Sequence, residues 1–227
     1  MFTVIPPRYD LINHIITLGL DKRWRQRAAL ACLEAGPRKI LDLGCGTGDL
    51  SITLARLAQE PVEVTGLDYS LPMLDRAREK ASRAGVGNSV RFILGEATQL
   101  PFPDGFCDGV SISFAFRNLT YKNPRGLNHF SEVLRVLRPG GCYVIVESSQ
   151  PNNRIIRALF HFYLRAFVAP AGMILSGNKG AYRYLAESAS GFYAPKEVAG
   201  MLVTAGFRSV SYRPLLFGAA GIHVATK

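Results

Sequence analysis

Short apolar runs alternating with helix-spaced segments fill most of the chain. Residues 39–43, Lys-Ile-Leu-Asp-Leu, form a compact apolar run that ends in glycines, which predicts a buried strand. From Asp49 to Ala58, Leu50, Leu54 and Leu57 restore a helical period. The alternation continues with predicted strands at 63–68, 90–95 and 107–114 and a helix from about 71 to 84. Residues 125–137 predict a helix closed by Pro139-Gly140-Gly141, and 142–147 an apolar fifth strand. Strands that read as near-continuous apolar runs, each followed by a helix, are those of a parallel sheet covered on both faces. The pattern therefore predicts an α/β fold.

The rhythm changes at both ends. Residues 1–36 form an N-terminal helical segment, with Leu11, Ile15 and Leu18 at helical spacing and a mixed basic face. Residues 151–194 are mostly helical without a clear strand, as expected of a cap inserted after the fifth strand. A helix at 195–205 leads to two late strands, 210–216 and 221–225. Their short glycine-bearing link predicts an antiparallel pair at the sheet edge. The expectation is one domain over 1–227, a seven-stranded, mostly parallel sheet with one antiparallel edge strand and a helical cap.

Composition narrows the partners. With 48% hydrophobic and 19% charged residues the chain is ordinary globular material, not a disordered one. Its 27 Lys and Arg against 17 Asp and Glu leave a formal +10, which favours anionic partners, either nucleic acid or acidic membrane headgroups. A Lys/Arg-rich tail and a recognisable RNA-binding module are both lacking, so no nucleic-acid partner is expected. Cys32, Cys45, Cys107 and Cys142 are widely spaced, and the four histidines show no ligand spacing. These read as free thiols in a reducing cytoplasm, with no metal site. The polar, proline-bearing residues 1–8 do not read as a targeting stretch. The apolar stretch 155–175 is interrupted by Arg157, His161, Arg165 and Pro170, poor material for a spanning helix. Dimers are the commonest assembly of soluble enzymes, and a homodimer is the default expectation.

The candidate chemistry lies at the strand ends. Asp42-Leu-Gly-Cys-Gly-Thr-Gly48 follows the first strand, where open α/β sheets bind their ligands. A dinucleotide fingerprint would need glycine at 49, but Asp49 stands there and the glycines fall at 44, 46 and 48. Asp42 before them disfavours a pyrophosphate and suits the zwitterionic, sulfonium-bearing methionyl group of S-adenosylmethionine. Thr47 belongs to the same turn. Asp68 ends the second strand, where a carboxylate accepts hydrogen bonds from two ribose hydroxyls. Glu96 and Ala97 end the third, placed to read an adenine edge, and Ser113 ends the fourth, facing the methionyl group. Taken singly, each position is equally well explained as a strand-end turn. Four in order read as a cofactor track, and the expected fold becomes the Rossmann-like class I methyltransferase.

Beyond this track the chain resembles the ubiquinone/menaquinone biosynthesis C-methyltransferase family over nearly its whole length. Tyr9-Asp-Leu-Ile-Asn13, Thr17 and Trp24 are similar to the family's Y-D-x-M-N…S…H-x-x-W, departing at Ile12, Thr17 and Asp21. Leu100-Pro-Phe-Pro-Asp104 and Ser113-Phe-Ala-Phe-Arg-Asn118 look like L-P-F-P-D and S-F-G-[LI]-R-N, with Ala115 and Phe116 differing. Residues 135–141 through Glu147-Ser-Ser149 are similar to R-V-L-K-P-G-G…E-x-S, and Tyr182-Arg-Tyr-Leu-Ala-Glu-Ser188 to Y-x-Y-L-x-x-S.

The resemblance implies C-methylation of a polyprenylated quinol, either demethylmenaquinol or a 2-polyprenyl-6-methoxy-1,4-benzoquinol. It places Arg117 and Asn118 as catalytic residues near the acceptor. A guanidinium is too weak an acid to serve as a base, so Arg117 is expected to stabilise the phenolate or orient a water. The alternative for Arg117 is a surface ion pair. Tyr9, Asn13, Tyr182 and Tyr184 are candidate walls of the acceptor pocket, or buried residues with one satisfying hydrogen bond each. His14 and His161 could assist proton transfer but are equally well structural. The basic, aromatic stretch 154–168 fits a helix that closes over the prenyl tail, a peripheral contact with the inner face of a membrane, or an ordinary core helix of the cap, and these are compatible. Rival functions are methylation of a soluble phenol and RNA modification. The second lacks N-P-P-Y after the fourth strand.

Overall fold

The computed structural model describes residues 9–176 and 179–227. The expectation drawn for residues 1–8 lies outside the described residues. Seven strands form one sheet in the order β3-β2-β1-β4-β5-β7-β6. They are β1 (Lys39–Leu43), β2 (Glu63–Asp68), β3 (Val90–Leu94), β4 (Cys107–Ser113), β5 (Leu137–Ser148), β6 (Ser209–Leu215) and β7 (Ala220–Thr226). β1 to β5 pair in parallel, and β7 runs antiparallel to both β5 and β6. The reversed strand thus lies one place in from the edge, because the β6–β7 hairpin inserts its second strand beside β5.

Helices α2 (Leu20–Leu33), α3 (Asp49–Leu57) and α4 (Leu71–Arg83) belong to one apolar cluster with residues such as Ile40, Val64, Val144 and Val146. Helices α6 (Asn128–Val136) and α10 (Pro195–Ala205) belong to a second, with Leu41, Leu43, Ile112 and Ile145. Alternate residues of one strand thus enter different clusters, as the two-residue period of a strand requires. A third, smaller cluster joins α1 (Tyr9–Ile16) to the cap. It contains Ile12, Ile16, Leu164, Val168, Ala169, Ala186 and Ala189. The cap consists of α7 (Arg154–Tyr163), a π-helical turn at Leu164–Val168, α8 (Ala169–Ser176) and α9 (Lys179–Ser190).

Three local features depart from the sequence reading. The N-terminal helical segment breaks at Leu18-Gly19, both in left-handed conformation (φ 53° and 72°). Pro139-Gly140-Gly141 lies inside β5 rather than closing a helix. Leu137 pairs with Cys107 and Cys142 with Gly109, so the intervening residues bulge. A short helix, α5 (Phe116–Thr120), follows Phe114, whose φ is 56°.

Candidate active site

A cavity of about 790 Å³ opens along the carboxyl ends of β1, β2, β3 and β4 and continues between α1 and the cap. Its cofactor end is built on the turn from β1 to α3. Gly44 has φ 58°, and a Cβ there would stand 2.7 Å from the Ala115 methyl, so a side chain would have to displace the β4–α5 turn. Gly46, at φ 53°, donates its N–H to Asp68 Oδ2 at 2.9 Å. Asp68 Oδ1 accepts from the Ser70 N–H at 2.9 Å. Burial raises the Asp68 pKa, partly offset by those backbone donors. Fixed by two N–H groups, the carboxylate retains lone pairs for further donors from the cavity.

Asp42 also borders the cavity, but its carboxylate is already engaged. Oδ2 accepts from Ser51 Oγ at 2.6 Å and Oδ1 from Ser111 Oγ at 3.1 Å. Complete burial pushes its pKa up to about 7 despite these donors. The residue ties α3 and β4 to β1 and places a titratable group under the glycine turn. Glu96, Ala97 and Ser113 line the same end, as does Thr47. The Thr47 hydroxyl donates to Asp10 Oδ1 at 2.7 Å, and Lys80 Nζ bridges Asp10, Thr47 and Asp49 at 2.8, 3.0 and 2.5 Å. Burial alone would raise the Asp10 pKa, yet Lys80 and Thr47 hold it below the ordinary value. Helix α1 is thereby tied directly to the cofactor turn.

At the other end, α5 presents Arg117 and Asn118 to the cavity. Arg117 is only 4% exposed. Its NH1 donates to Glu147 Oε1 at 3.0 Å and Ser148 Oγ at 2.7 Å, and its backbone N–H donates to Glu147 Oε2 at 3.0 Å. This is a buried ion pair rather than the surface pair considered from the sequence. Its buried Nε has no partner among the described residues. An unpaired buried donor costs about 1–3 kcal/mol, so it is most stable opposite an acceptor brought in from the cavity.

Asn13 and Tyr184 also line the cavity. The side chains of Tyr9 and Tyr182 lie outside the described residues. His14 Nδ1 donates to Asp21 Oδ2 at 2.7 Å, and His161 Nε2 to Gln150 Oε1 at 2.9 Å. Neither histidine borders the cavity. Of the cavity residues Asp10, Asp21, Arg25, Phe160 and Leu164, the sequence reading did not single out Arg25; Asp10 and Asp21 entered it only within the N-terminal motif, and Phe160 and Leu164 only within the stretch 154–168. Asp10 and Lys80 are 70 positions apart, and Arg25 and Ser113 are 88 apart.

Comparison with known proteins places the chain in a family. The model of the ubiE/COQ5 methyltransferase family matches residues 1–227. The demethylmenaquinone methyltransferase of Thermus thermophilus is 44% identical over 228 residues, covering all of both chains. A Geobacter sulfurreducens protein named ubiquinone/menaquinone biosynthesis C-methyltransferase UbiE is 34% identical, covering all of this chain and 87% of its own. Among solved structures, an S-adenosylmethionine-dependent methyltransferase from Aquifex aeolicus aligns with a TM-score of 0.62 at 20% identity, over 96% of each chain. The fold is the Rossmann-like class I methyltransferase fold, and the chain belongs to the ubiE/COQ5 methyltransferase family.

Proposed function

We propose that the protein methylates a ring carbon of a polyprenylated quinol, using S-adenosylmethionine. The observation that carries this reading is the continuity of one cavity from the glycine turn to Arg117 and on to the apolar side chains of Ile16, Phe160 and Leu164. A polar cofactor track followed by an apolar extension suits a ring with a hydrocarbon tail better than a nucleobase. The names of the relatives favour the naphthoquinol, demethylmenaquinol, as acceptor.

When bound, the cofactor supplies an electrophilic methyl group on a sulfonium. The glycine turn would admit its methionyl end, Asp68 would accept from the ribose hydroxyls, and Glu96 with Ala97 would border the adenine. A quinol carbon is a weak nucleophile until a ring hydroxyl loses its proton and charge reaches the ortho carbon. Arg117, anchored by Glu147, stabilises that phenolate through its unspent donors, and Asn118 beside it orients the ring or a water that accepts the proton. Asn13, Tyr184 and the cap exclude bulk solvent.

The outward face of α7 supports a peripheral membrane contact within this reading. Ile155, Leu159 and Phe162, at i, i+4 and i+7, are all exposed, and Arg154 and Arg165 beside them are exposed too. Such a face suits a bilayer with acidic headgroups, where a prenylated acceptor resides.

The test is methyl transfer from labelled S-adenosylmethionine to reduced short-chain demethylmenaquinol and to its benzoquinol counterpart, with the oxidised quinones as controls. Product from the reduced naphthoquinol is expected. Cofactor binding without product from either quinol would overturn the acceptor assignment.

A further inference from the structure

The methionyl end of S-adenosylmethionine carries an α-carboxylate, an anion that must find donors once withdrawn from water. Among the described residues, two cationic side chains line the cavity, Arg117 and Arg25. Arg117 is held by Glu147 and Ser148 at the end of β5. Arg25, on α2, stands beside the glycine turn and the end of β4.

Its surroundings fix it there. NH1 donates to Asp21 Oδ2 at 2.5 Å and lies 3.6 Å from Asp49 Oδ2, at the first residue of α3. Nε donates to Ser113 Oγ at 3.2 Å, and the guanidinium lies over the Phe114 ring at 5.5 Å from its centroid. Asp21 is itself buried and also held by His14 and Thr17. Burial would raise its pKa, but Arg25 above all holds it below the ordinary carboxylate value, so it stays charged. Asp49, the second acid near Arg25, is shared with Lys80. Two nitrogens of the guanidinium fork are therefore committed, while NH2 has no hydrogen-bond partner among the described residues and the side chain borders the cavity. Held in place by these contacts, the guanidinium is pre-organised to offer NH2 as a charge-assisted donor to a carboxylate in the cavity.

We propose that Arg25 receives the α-carboxylate of the cofactor's methionyl group, with Asp21 and Ser113 as the residues that position it. The assignment rests on the S-adenosylmethionine reading above and adds a contact to it. The competing receptor is the set of backbone N–H groups at the start of α3, which would make Arg25 dispensable.

Isothermal titration with a pair of ligands separates the two. Wild type and Arg25→Gln are titrated with S-adenosylmethionine and with decarboxylated S-adenosylmethionine, which differs only in lacking the carboxylate. A lost charge-assisted hydrogen bond predicts an affinity for S-adenosylmethionine about 10- to 100-fold weaker in the variant. The affinity for the decarboxylated ligand should change by less than about threefold on the same argument. Equal weakening for both ligands would mean that Arg25 only supports the wall, and unchanged affinity for both would assign the carboxylate to α3. Either result overturns the proposal. Arg25→Lys, which keeps the charge but loses the fork, should weaken only the carboxylated ligand. It carries the same test if Arg25→Gln melts below the assay temperature. Should wild type bind neither ligand, the cofactor reading itself fails.

Discussion

The cofactor end of the cavity is made largely of turns at the ends of parallel strands, whereas the acceptor end is made of side chains on α1, α5 and the cap. At the first, Asp68 is hydrogen-bonded to the glycine turn and Asp42 to Ser51 and Ser111, and both are flanked by the two large apolar clusters of the sheet. At the second, one small cluster holds α1 to the cap, helped by the Tyr163 hydroxyl donating to the Ile16 carbonyl at 2.9 Å. Helix α7 buries none of its side chains fully. A cofactor common to many methyltransferases can be served by a fixed site, while the acceptor site must admit a bulky apolar ligand. Regions with few buried contacts open at lower free-energy cost, so the cap is where motion should concentrate.

The strongest break of this contrast is Arg117→Ala. Removing a preorganised donor for the developing phenolate should slow the chemical step by about 10²–10³-fold in single-turnover assays. Cofactor affinity should stay within about threefold, since the Asp68 and glycine-turn contacts remain. An unchanged rate would remove Arg117 from the reaction. A second comparison sharpens the packing difference. Leu74→Ala, in the sheet cluster, should cost about 3–5 kcal/mol in chemical denaturation, and Leu164→Ala, in the cap, about 2 kcal/mol because that site can collapse more easily. Only the cap variant should raise the acceptor KM. Equal costs with no KM effect would mean that the two regions are equally rigid.

The smallest effect concerns Asp42. Its carboxyl is pushed from 3.8 up to about 7 in the folded protein by burial. The folded state therefore binds a proton that the unfolded chain has released, so this group's contribution to stability falls as pH rises from about 4 to 7 and is level above that. Asp42→Asn should remove that slope when denaturation midpoints are compared across the range. Parallel wild-type and variant profiles would assign the titration elsewhere.

The sheet and the order of the strand-end residues were readable in the sequence because buried parallel strands are apolar runs of distinctive length. Other features had no such signature. Pro139-Gly140-Gly141 has the composition of a helix stop, yet the same residues serve as a bulge in β5. Leu18 continues the apolar period of α1 while its backbone turns left-handed and ends the helix. Helix α5 has five residues, too few to display a period. The partners of Arg25 and Arg117 include residues 88 and 30 positions away, pairings that appear only once the chain is folded. The antiparallel pair at the sheet edge was legible, but which of its two strands docks beside β5 was not, since the direction in which a hairpin docks is decided by the sheet it joins.

One consequence of the cavity's size concerns what the enzyme measures. At about 790 Å³ it has the capacity of an ordinary small-molecule pocket. On the proposed quinol reading, the apolar extension at Ile16, Phe160 and Leu164 would receive the first part of the prenyl tail, and a long tail would continue beyond the mouth. A catalyst built this way would gauge the head of its acceptor rather than its length. Quinols differing only in the number of isoprene units would then be equivalent to it, and tail length would be set wholly by the step that attaches the tail.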